Sequence, residues 1–526
     1  MFVDGRQVPE GTIIETDLAI IGGGAAGITI AREFAGTGVR VALIESGGFD
    51  FDADTQALYE GEIGGVDYTL DGSRLRYFGG STNHWGGWCR PLEKEDFEKR
   101  DWVPHSGWPI TRDDLDPYYP RAAEICQLHS TNFDDPEGWK TDKPVEPLPL
   151  AGDEVMTRFF IYSPPTRFGE VYRPDIKKAE NVTCYLNSNV LEIVPTENAA
   201  EVDHLRVATL QGNGFTVKPK TVVLATGGIE NARMLLLSNS VATAGLGNQN
   251  DMVGRYFMEH PHIPYPADIL ITDEKLVPAF YRTYTPVEKA VMRGCFMFTP
   301  EYLARTGRLG TVMTFYPREE VKAAYTPPKD GDATPEKKAE REAAHKLDAG
   351  ILQAVRSSTA LPAKNDALGW RFGIGCASEQ QPNPDSRITL SEEKDALGLN
   401  RTKLTWRLKG TDATSLHQNV RALARAWGGW GEGRIRIMFQ DREEWTEAEG
   451  WGNHHMGSTR MAADAKQGVC DADCRVHGMS NLYIAGSSVY PTTGTVNPTL
   501  TLVALAVRMA DHLKTRFANT QPGETL

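Results

Sequence analysis

Five histidines in glycine-rich or extended stretches are the residues of this chain best suited to proton chemistry. His454 and His455 stand together in NHHMGSTRM, His84 sits in GGSTNHWGG, and His260 and His262 alternate in EHPHI. A neutral imidazole, with an ordinary pKa near ~6.5, accepts a hydroxyl proton at neutral pH. In an extended segment adjacent side chains point to opposite faces, so only one of His454 and His455 is expected to reach a given substrate atom. Asn497, in TVNPTLT, precedes a proline at the head of an apolar helical pattern. That predicts a helix N-cap, with Pro498 at the first helical position and the positive helix end aimed outward at developing negative charge. Cys470 and Cys474 in CDADC lack a second pair or histidines at zinc spacing, so no metal is expected there.

A second chemistry is phosphate binding. Gly22, Gly24 and Gly27 form GxGxxG after an apolar stretch, Leu18 to Ile21, and before a helical pattern. The first glycine permits the turn, the second lets a pyrophosphate approach the backbone, and the third allows close packing of helix on strand. The helix N-terminus then offers unpaired N–H groups to the phosphates. Glu45 closes the next apolar strand, Val39 to Ile44, where a carboxylate accepts hydrogen bonds from a ribose diol. The motif alone does not separate NAD from FAD.

These groups need elements to hold them. The first is the β-α-β unit just described, with buried parallel strands. A second strand-turn-helix is read in TVVLATGGIENARMLLL, where Arg233 interrupts an otherwise apolar helical face. A third is read in NLYIAGSSVYPTTGTVNPTLTLVALAVRMADHL, with a strand near Leu482 to Ala485 and Leu500, Val503, Ala504 and Val507 on one helical face. Three such units at the beginning, middle and end predict one nucleotide-binding domain assembled from separated segments. Residues 318–349 turn sharply charged and proline-containing and read as an insertion whose helix starts at Thr334-Pro335, on a solvated face.

A chain of 526 residues is long enough for two domains and for burial of a large ligand. Its net charge of −14 lacks the basic face that a phosphate backbone demands, which argues against a nucleic-acid partner. The N-terminal stretch does not read as a signal peptide, and no run reaches the ~18 apolar residues of a spanning helix. Seven cysteines, sparse and odd in number, suit a reducing cytoplasm better than a disulfide framework.

Taken together and in this order, the N-terminal glycine motif, GGSTNHWGG, VVLATGGIENARMLL, VGRYFMEHPHI, NHHMGSTRM and TVNPTLT resemble the glucose-methanol-choline family of FAD-dependent oxidoreductases. The resemblance is strongest to the pyranose oxidase-like branch and its bacterial sugar and glycoside dehydrogenase relatives, and thinnest over residues 263–450. It implies an α/β fold with a Rossmann-like FAD-binding domain of discontinuous segments and an α+β substrate domain whose antiparallel sheet roofs the isoalloxazine, as in p-hydroxybenzoate hydroxylase-like folds. On that reading residues 1–120, 181–262 and 451–526 form the FAD domain, and 121–180 and 263–450 the substrate domain.

The family's C-terminal catalytic histidine matches His454, with His455 as runner-up and as a substrate contact, and its second catalytic position matches Asn497. The resemblance further implies FAD contacts from Gly80, Ser81, Asn83, His84, Val190, Thr226, Gly227 and Gly486, besides the glycine motif and Glu45. His84 matches the position that some relatives bond covalently to FAD, and whether it does so here stays open. Glu379 and Gln380 fall in a stretch expected over the flavin and are candidate hydroxyl-binding residues. Trp85, Trp88 and Trp108 are candidates for stacking on sugar or flavin, with core packing an equal alternative. EHPHI is placed in a structural segment.

The implied activity is oxidation of a secondary hydroxyl of a pyranose sugar or glycoside to a keto-sugar, with His454 as general base, Asn497 as anchor and hydride passing to flavin N5. Dioxygen, a quinone or a redox protein would take the electrons, and a homo-oligomer is left open. The alternatives are oxidation of a non-sugar alcohol and a flavin-bearing lyase.

Overall fold

The computed structural model describes residues 1–135, 139, 145–271, 273–287, 289–317, 370–438 and 450–519. The insertion read at 318–349 lies outside the described residues.

Strand Ile13–Ile21 runs from an exposed start into the interior, and Leu18, Ala19 and Ile20 are fully buried. Such a run pairs on both edges: Leu18 to Ile21 lie parallel to Val41–Ile44 on one side and to Thr221 through Leu224 on the other. The crossover between the first two strands is helix Ala25–Glu33, whose buried residues Ile28 and Ile30 seal it onto the sheet. The full sheet has eight strands. Its order is Phe2–Asp4, Val182–Leu186, Val41–Ile44, Ile13–Ile21, Gly214–Leu224, Val202–Ala208 and Asn189–Pro195, with Leu482–Ile484 parallel to the second half of Gly214–Leu224. Residues from the beginning, middle and end of the chain thus meet in one sheet.

A second, nine-stranded sheet is antiparallel and runs Gly433–Ile437, Pro261–Ile271, Trp370–Ser378, Thr311–Pro317, Ala290–Phe298, Val155–Tyr162 and Trp88–Cys89. Thr285–Val287 pairs with Ala290–Phe298, and Gly450–Trp451 with Pro261–Ile271. Its two faces follow from strand periodicity. Met313 and Phe315 pack into an apolar core with Leu416, Val420, Leu423 and Trp427 of helix Gly410–Trp430, while Val312, Thr314 and Tyr316 face a cavity against the first sheet. Each fully buried large side chain of that helix contributes on the order of 1.5–3 kcal/mol. A charge at Leu423 would therefore detach the helix and let the cavity roof move.

A three-stranded sheet, Arg387–Lys394, Asn400–Trp406 and Gly61–Gly65, packs where helix Glu230–Leu237 meets the rest. It explains Arg233. That side chain is 2% exposed and pairs with Glu230 at 3.2 Å and Asp395 at 2.6 Å. Burial would raise the Glu230 pKa, yet the guanidiniums of Arg233, Arg74 and Arg76 bring it down to about 2.

Candidate active site

One cavity of about 830 Å³ lies between the two large sheets, and it holds both chemistries read from the sequence. At one end the glycine turn opens onto it. A Cβ on Gly27 would fall 1.9 Å from the Gly22 carbonyl oxygen, so this glycine serves helix-strand packing and stays off the cavity wall. A Cβ on Gly24 would meet nothing within 4 Å, because Gly24 borders the open space itself. Helix Ala25–Glu33 starts there with no side-chain cap, leaving its first N–H groups for a ligand. Glu45 is 5% exposed and accepts from the backbone N–H of Gly23 at 2.7 Å and of Gly47 at 2.9 Å, which fixes its carboxylate at the cavity edge.

The GGSTNHWGG loop docks directly on this turn. The Gly79 N–H donates to the Gly23 carbonyl at 2.8 Å, and Gly79 adopts φ +101°, a left-handed conformation that favours glycine. Gly80, Ser81, His84, Trp85 and Trp88 line the cavity, as do Val190, Thr226, Gly227 and Gly486. Asn83 does not line it; its amide donates to the Phe78 carbonyl at 3.0 Å and staples the loop. His84 is exposed, and partial burial, then Arg167, lowers its pKa.

At the other end stand His454, His455 and Asn497. The Asn497 Nδ2 lies 3.1 Å from His454 Nε2. The expected N-cap is displaced by one residue: Leu502 N–H donates to the Pro498 carbonyl and the helix runs Thr499–Asn519, so the Asn497 amide is spent on His454. His454 Nδ1 is 2.9 Å from His260 Nδ1, and His260 Nε2 is 2.9 Å from the Gly494 carbonyl oxygen. Burial and the neighbouring rings of His260, His262 and His455 push the His454 pKa well below 6.5.

Backbone register creates this cluster. Met258 and Met456 form an antiparallel bridge and His262 pairs with Gly450, so the two segments that carry His260 and His454 run side by side between these pairs. Five residues on one strand, 451–455, thus lie opposite three on the other, 259–261, and Asn453 takes φ +57° in the resulting bulge. The bulge breaks the alternation of a regular strand, so His454 and His455 both line the cavity.

His455 has a partner of its own. Its Nε2 lies 2.6 Å from the Tyr68 hydroxyl, which is also 3.1 Å from the Glu259 carboxylate. Glu259 is fully buried and accepts from the N–H groups of His260 at 2.9 Å and Gly452 at 3.2 Å; burial outweighs these bonds and raises its pKa to about 8. His262 Nε2 is a buried atom without a hydrogen-bond partner, on a ring that faces the same cavity.

Glu379 and Gln380 lie outside the cavity lining. Glu379 is 1% exposed and ion-paired with Arg100. The Gln380 carbonyl oxygen accepts from Glu259 N–H at 2.9 Å and from Trp406 Nε1 at 3.0 Å, and its amide N–H donates to the Arg407 carbonyl at 3.4 Å. Trp108 is core, donating to the Thr492 hydroxyl at 2.9 Å and tilted against Tyr490. Sequence reasoning left His260, His262, Tyr68 and Glu259 without a role at the site. The alternation of His260 and His262 was a usable signal, since residues two apart share one strand face. Among the described residues no group of three or more His, Cys, Asp or Glu side chains is set to hold a metal ion.

Residues 382–506 match the family model described as GMC oxidoreductase, and residues 17–243 match that described as FAD dependent oxidoreductase. The chain is 22% identical to the 2-methyl-1,2-propanediol dehydrogenase of Mycolicibacterium austroafricanum over 96% of each chain. It is 31% identical to a C-glycoside 3-oxidase of Microbacterium trichothecenolyticum over 32% of this chain and 30% of the relative. Among solved structures, a formate oxidase variant of Aspergillus oryzae superposes with a TM-score of 0.57 at 16% identity, covering 97% of this chain and 99% of that one.

Proposed function

Because the chain belongs to the glucose-methanol-choline family of FAD-dependent oxidoreductases acting on CH–OH donors, we propose that it oxidises a secondary hydroxyl of a pyranose sugar or glycoside to the ketone. The observation that carries this reading is the His454–Asn497 pair at 3.1 Å in the same cavity as the glycine turn.

The residues present fit FAD. The uncapped helix start and Gly24 leave room and N–H donors for the pyrophosphate, and the Glu45 carboxylate stands where a ribose diol would donate. When bound, the flavin supplies the acceptor for the hydrogen that leaves the carbinol carbon as hydride. The protein side of the chemistry is a proton transfer. A substrate hydroxyl that displaces the Asn497 amide from His454 Nε2 donates its hydrogen to that nitrogen and accepts one from the amide. As the proton moves, the imidazolium N–H and the amide N–H both point at the oxygen and hold the ketone as it forms.

A pyranose presents an apolar C–H face and a polar rim. Trp88, Phe160, Ile263 and Val312 in the cavity wall suit the first, and Thr314 and Tyr316 the second. The C-glycoside 3-oxidase relative supports the same substrate class. A second reading, a small non-sugar diol or alcohol, is favoured by the dehydrogenase that aligns over 96% of both chains.

Anaerobic mixing of the FAD-loaded protein with pyranoses, glycosides and aliphatic diols separates the two. Bleaching of the flavin by pyranoses or glycosides supports the first reading, and bleaching by diols alone replaces it with the second. Bleaching by no alcohol overturns both. His454→Ala should retain FAD yet bleach at least ~100-fold more slowly, the loss of a general base. For His84, acid precipitation distinguishes a yellow pellet, the covalent link, from a white one.

A further inference from the structure

We infer that His260 is a positioning residue that dictates which nitrogen of His454 carries the hydrogen, and that the Gly494 carbonyl dictates it for His260. The inference deepens the functional reading above, since it concerns the proposed base, and it rests on the hydrogen-bond partners and the burial of the two rings.

One group in the relay has no choice of role. A carbonyl oxygen only accepts, so His260 Nε2, 2.9 Å from the Gly494 oxygen, must carry a hydrogen. The His260 ring is 1% exposed, and burial lowers its pKa to about 4, so at neutral pH it holds a single hydrogen and its Nδ1 is bare. A bare nitrogen is an acceptor. His454 Nδ1, 2.9 Å away, must then donate, and because that ring is also neutral its Nε2 is left bare.

The far end of the chain agrees independently. Asn497 presents its amide nitrogen, a donor, to His454 Nε2 at 3.1 Å. The reverse order would set a lone pair of His260 against the Gly494 oxygen and leave the wrong His454 nitrogen facing the substrate.

Backbone pairing on both sides, Met258 with Met456 and His262 with Gly450, holds the segments that carry His260 and His454 side by side. The consequence of the relay is a base that is ready before substrate arrives. Nε2 is already bare of hydrogen, so no tautomer exchange is needed once the hydroxyl displaces the Asn497 amide from its lone pair. His260 also differs from a carboxylate in that position: it orients the ring without supplying a counter-charge, so the proton taken up remains weakly held.

The test uses FAD-loaded protein with 15N-imidazole-labelled histidine and no substrate. Long-range 1H–15N correlation should show His454, assigned by loss of its signals in His454→Asn, with the hydrogen on Nδ1 and a pyridine-type Nε2. A hydrogen on Nε2 overturns the inference. In a second arm, His260→Phe keeps ring volume but removes the acceptor, whereas His260→Asn offers an amide oxygen close to the place of Nδ1. The limiting rate of flavin reduction should fall about 100-fold in the first and recover to within about tenfold of the parent in the second, with the substrate concentration for half-saturation little changed in either.

Equal rates in the two variants overturn the inference, because a merely structural role would not distinguish them. If the Phe variant does not load FAD, the spectrum of the parent protein decides. If no alcohol reduces the parent flavin, the functional reading fails while the spectrum still reports the tautomer.

Discussion

Replacing Gly452 with alanine tests the placement of the base without touching its chemistry. A Cβ built on Gly452 lies 2.6 Å from His454 Nδ1, 2.7 Å from its Cε1 and 3.0 Å from His262 Nε2. Ordinary carbon contacts begin near 3.4 Å. The His454 ring must therefore shift by about 0.8 Å, or the strand must. The strand is pinned: the Gly452 N–H donates to Glu259 at 3.2 Å, and the chain is paired on both sides by the Met258–Met456 bridge and by Gly450 with His262. Gly452 is not among the left-handed glycines, so the backbone itself accepts alanine. A misplacement of about 1 Å at a reacting group costs on the order of 100-fold, or ~2.7 kcal/mol of barrier. Anaerobic stopped-flow bleaching of the flavin should show that loss with FAD content retained and Tm lowered by no more than a few degrees. Gly450→Ala is the control, because its Cβ would come no closer than 4.0 Å, to the His262 carbonyl oxygen, and its rate should stay within about twofold. A Gly452→Ala protein that bleaches as fast as the parent refutes the idea that this position of the His454 ring sets the rate.

Three further outcomes are expected. A base works unprotonated, and burial with three neighbouring rings keeps the His454 pKa well below 6.5, so the rate of flavin reduction should be level from pH 6.5 to 7.5 and fall only in acid; a half-point at or above 6.5 contradicts this. Glu45→Gln should weaken FAD binding about 10- to 100-fold, the worth of charge-assisted hydrogen bonds, as read by flavin titration of the apoprotein, and a change under threefold counts against the ribose assignment. Glu259 holds its proton up to about pH 8 when folded but releases it near 4.5 when exposed, so its contribution to stability falls as pH rises through that window. Glu259→Gln should therefore lose less Tm between pH 5 and 8 than the parent, the remaining slope coming from Asp96 and Asp412, which burial raises to about 8 and about 7. A steeper loss in the variant would reverse that assignment.

The first β-α-β unit was legible because every requirement on it is local. Parallel strands buried on both faces need unbroken apolar runs, the crossover needs glycines at fixed offsets, and both lie within about thirty residues of sequence. Glu379 shows where such reading stops. The resemblance implies that its stretch lies over the flavin and makes it a hydroxyl-binding candidate, yet its carboxylate meets Arg100, which no local pattern connects with it. Asn497 shows a smaller shift: the proline correctly marked a helix start, but the first carbonyl to accept a helical bond belongs to Pro498, and the one-residue offset frees the amide for His454.

His260 lies between these cases. Its alternation with His262 announced a shared strand face, but its task follows from contact with a ring almost two hundred residues away and from a carbonyl contributed by a third segment. A histidine is ambiguous by chemistry, since either nitrogen can carry the hydrogen, and that ambiguity is removed only by a partner that cannot change roles. Here the fixed partner is backbone, and any side chain at position 494 would lose the site for another reason: a Cβ there would fall 2.5 Å from an Asp96 carboxylate oxygen. The residue that presents the carbonyl is therefore confined to glycine by Asp96 and Leu92, while the hydrogen bond alone ties it to His260. For that reason Gly494→Ala should disturb the tautomer of His454 even though residue 494 never contacts that ring.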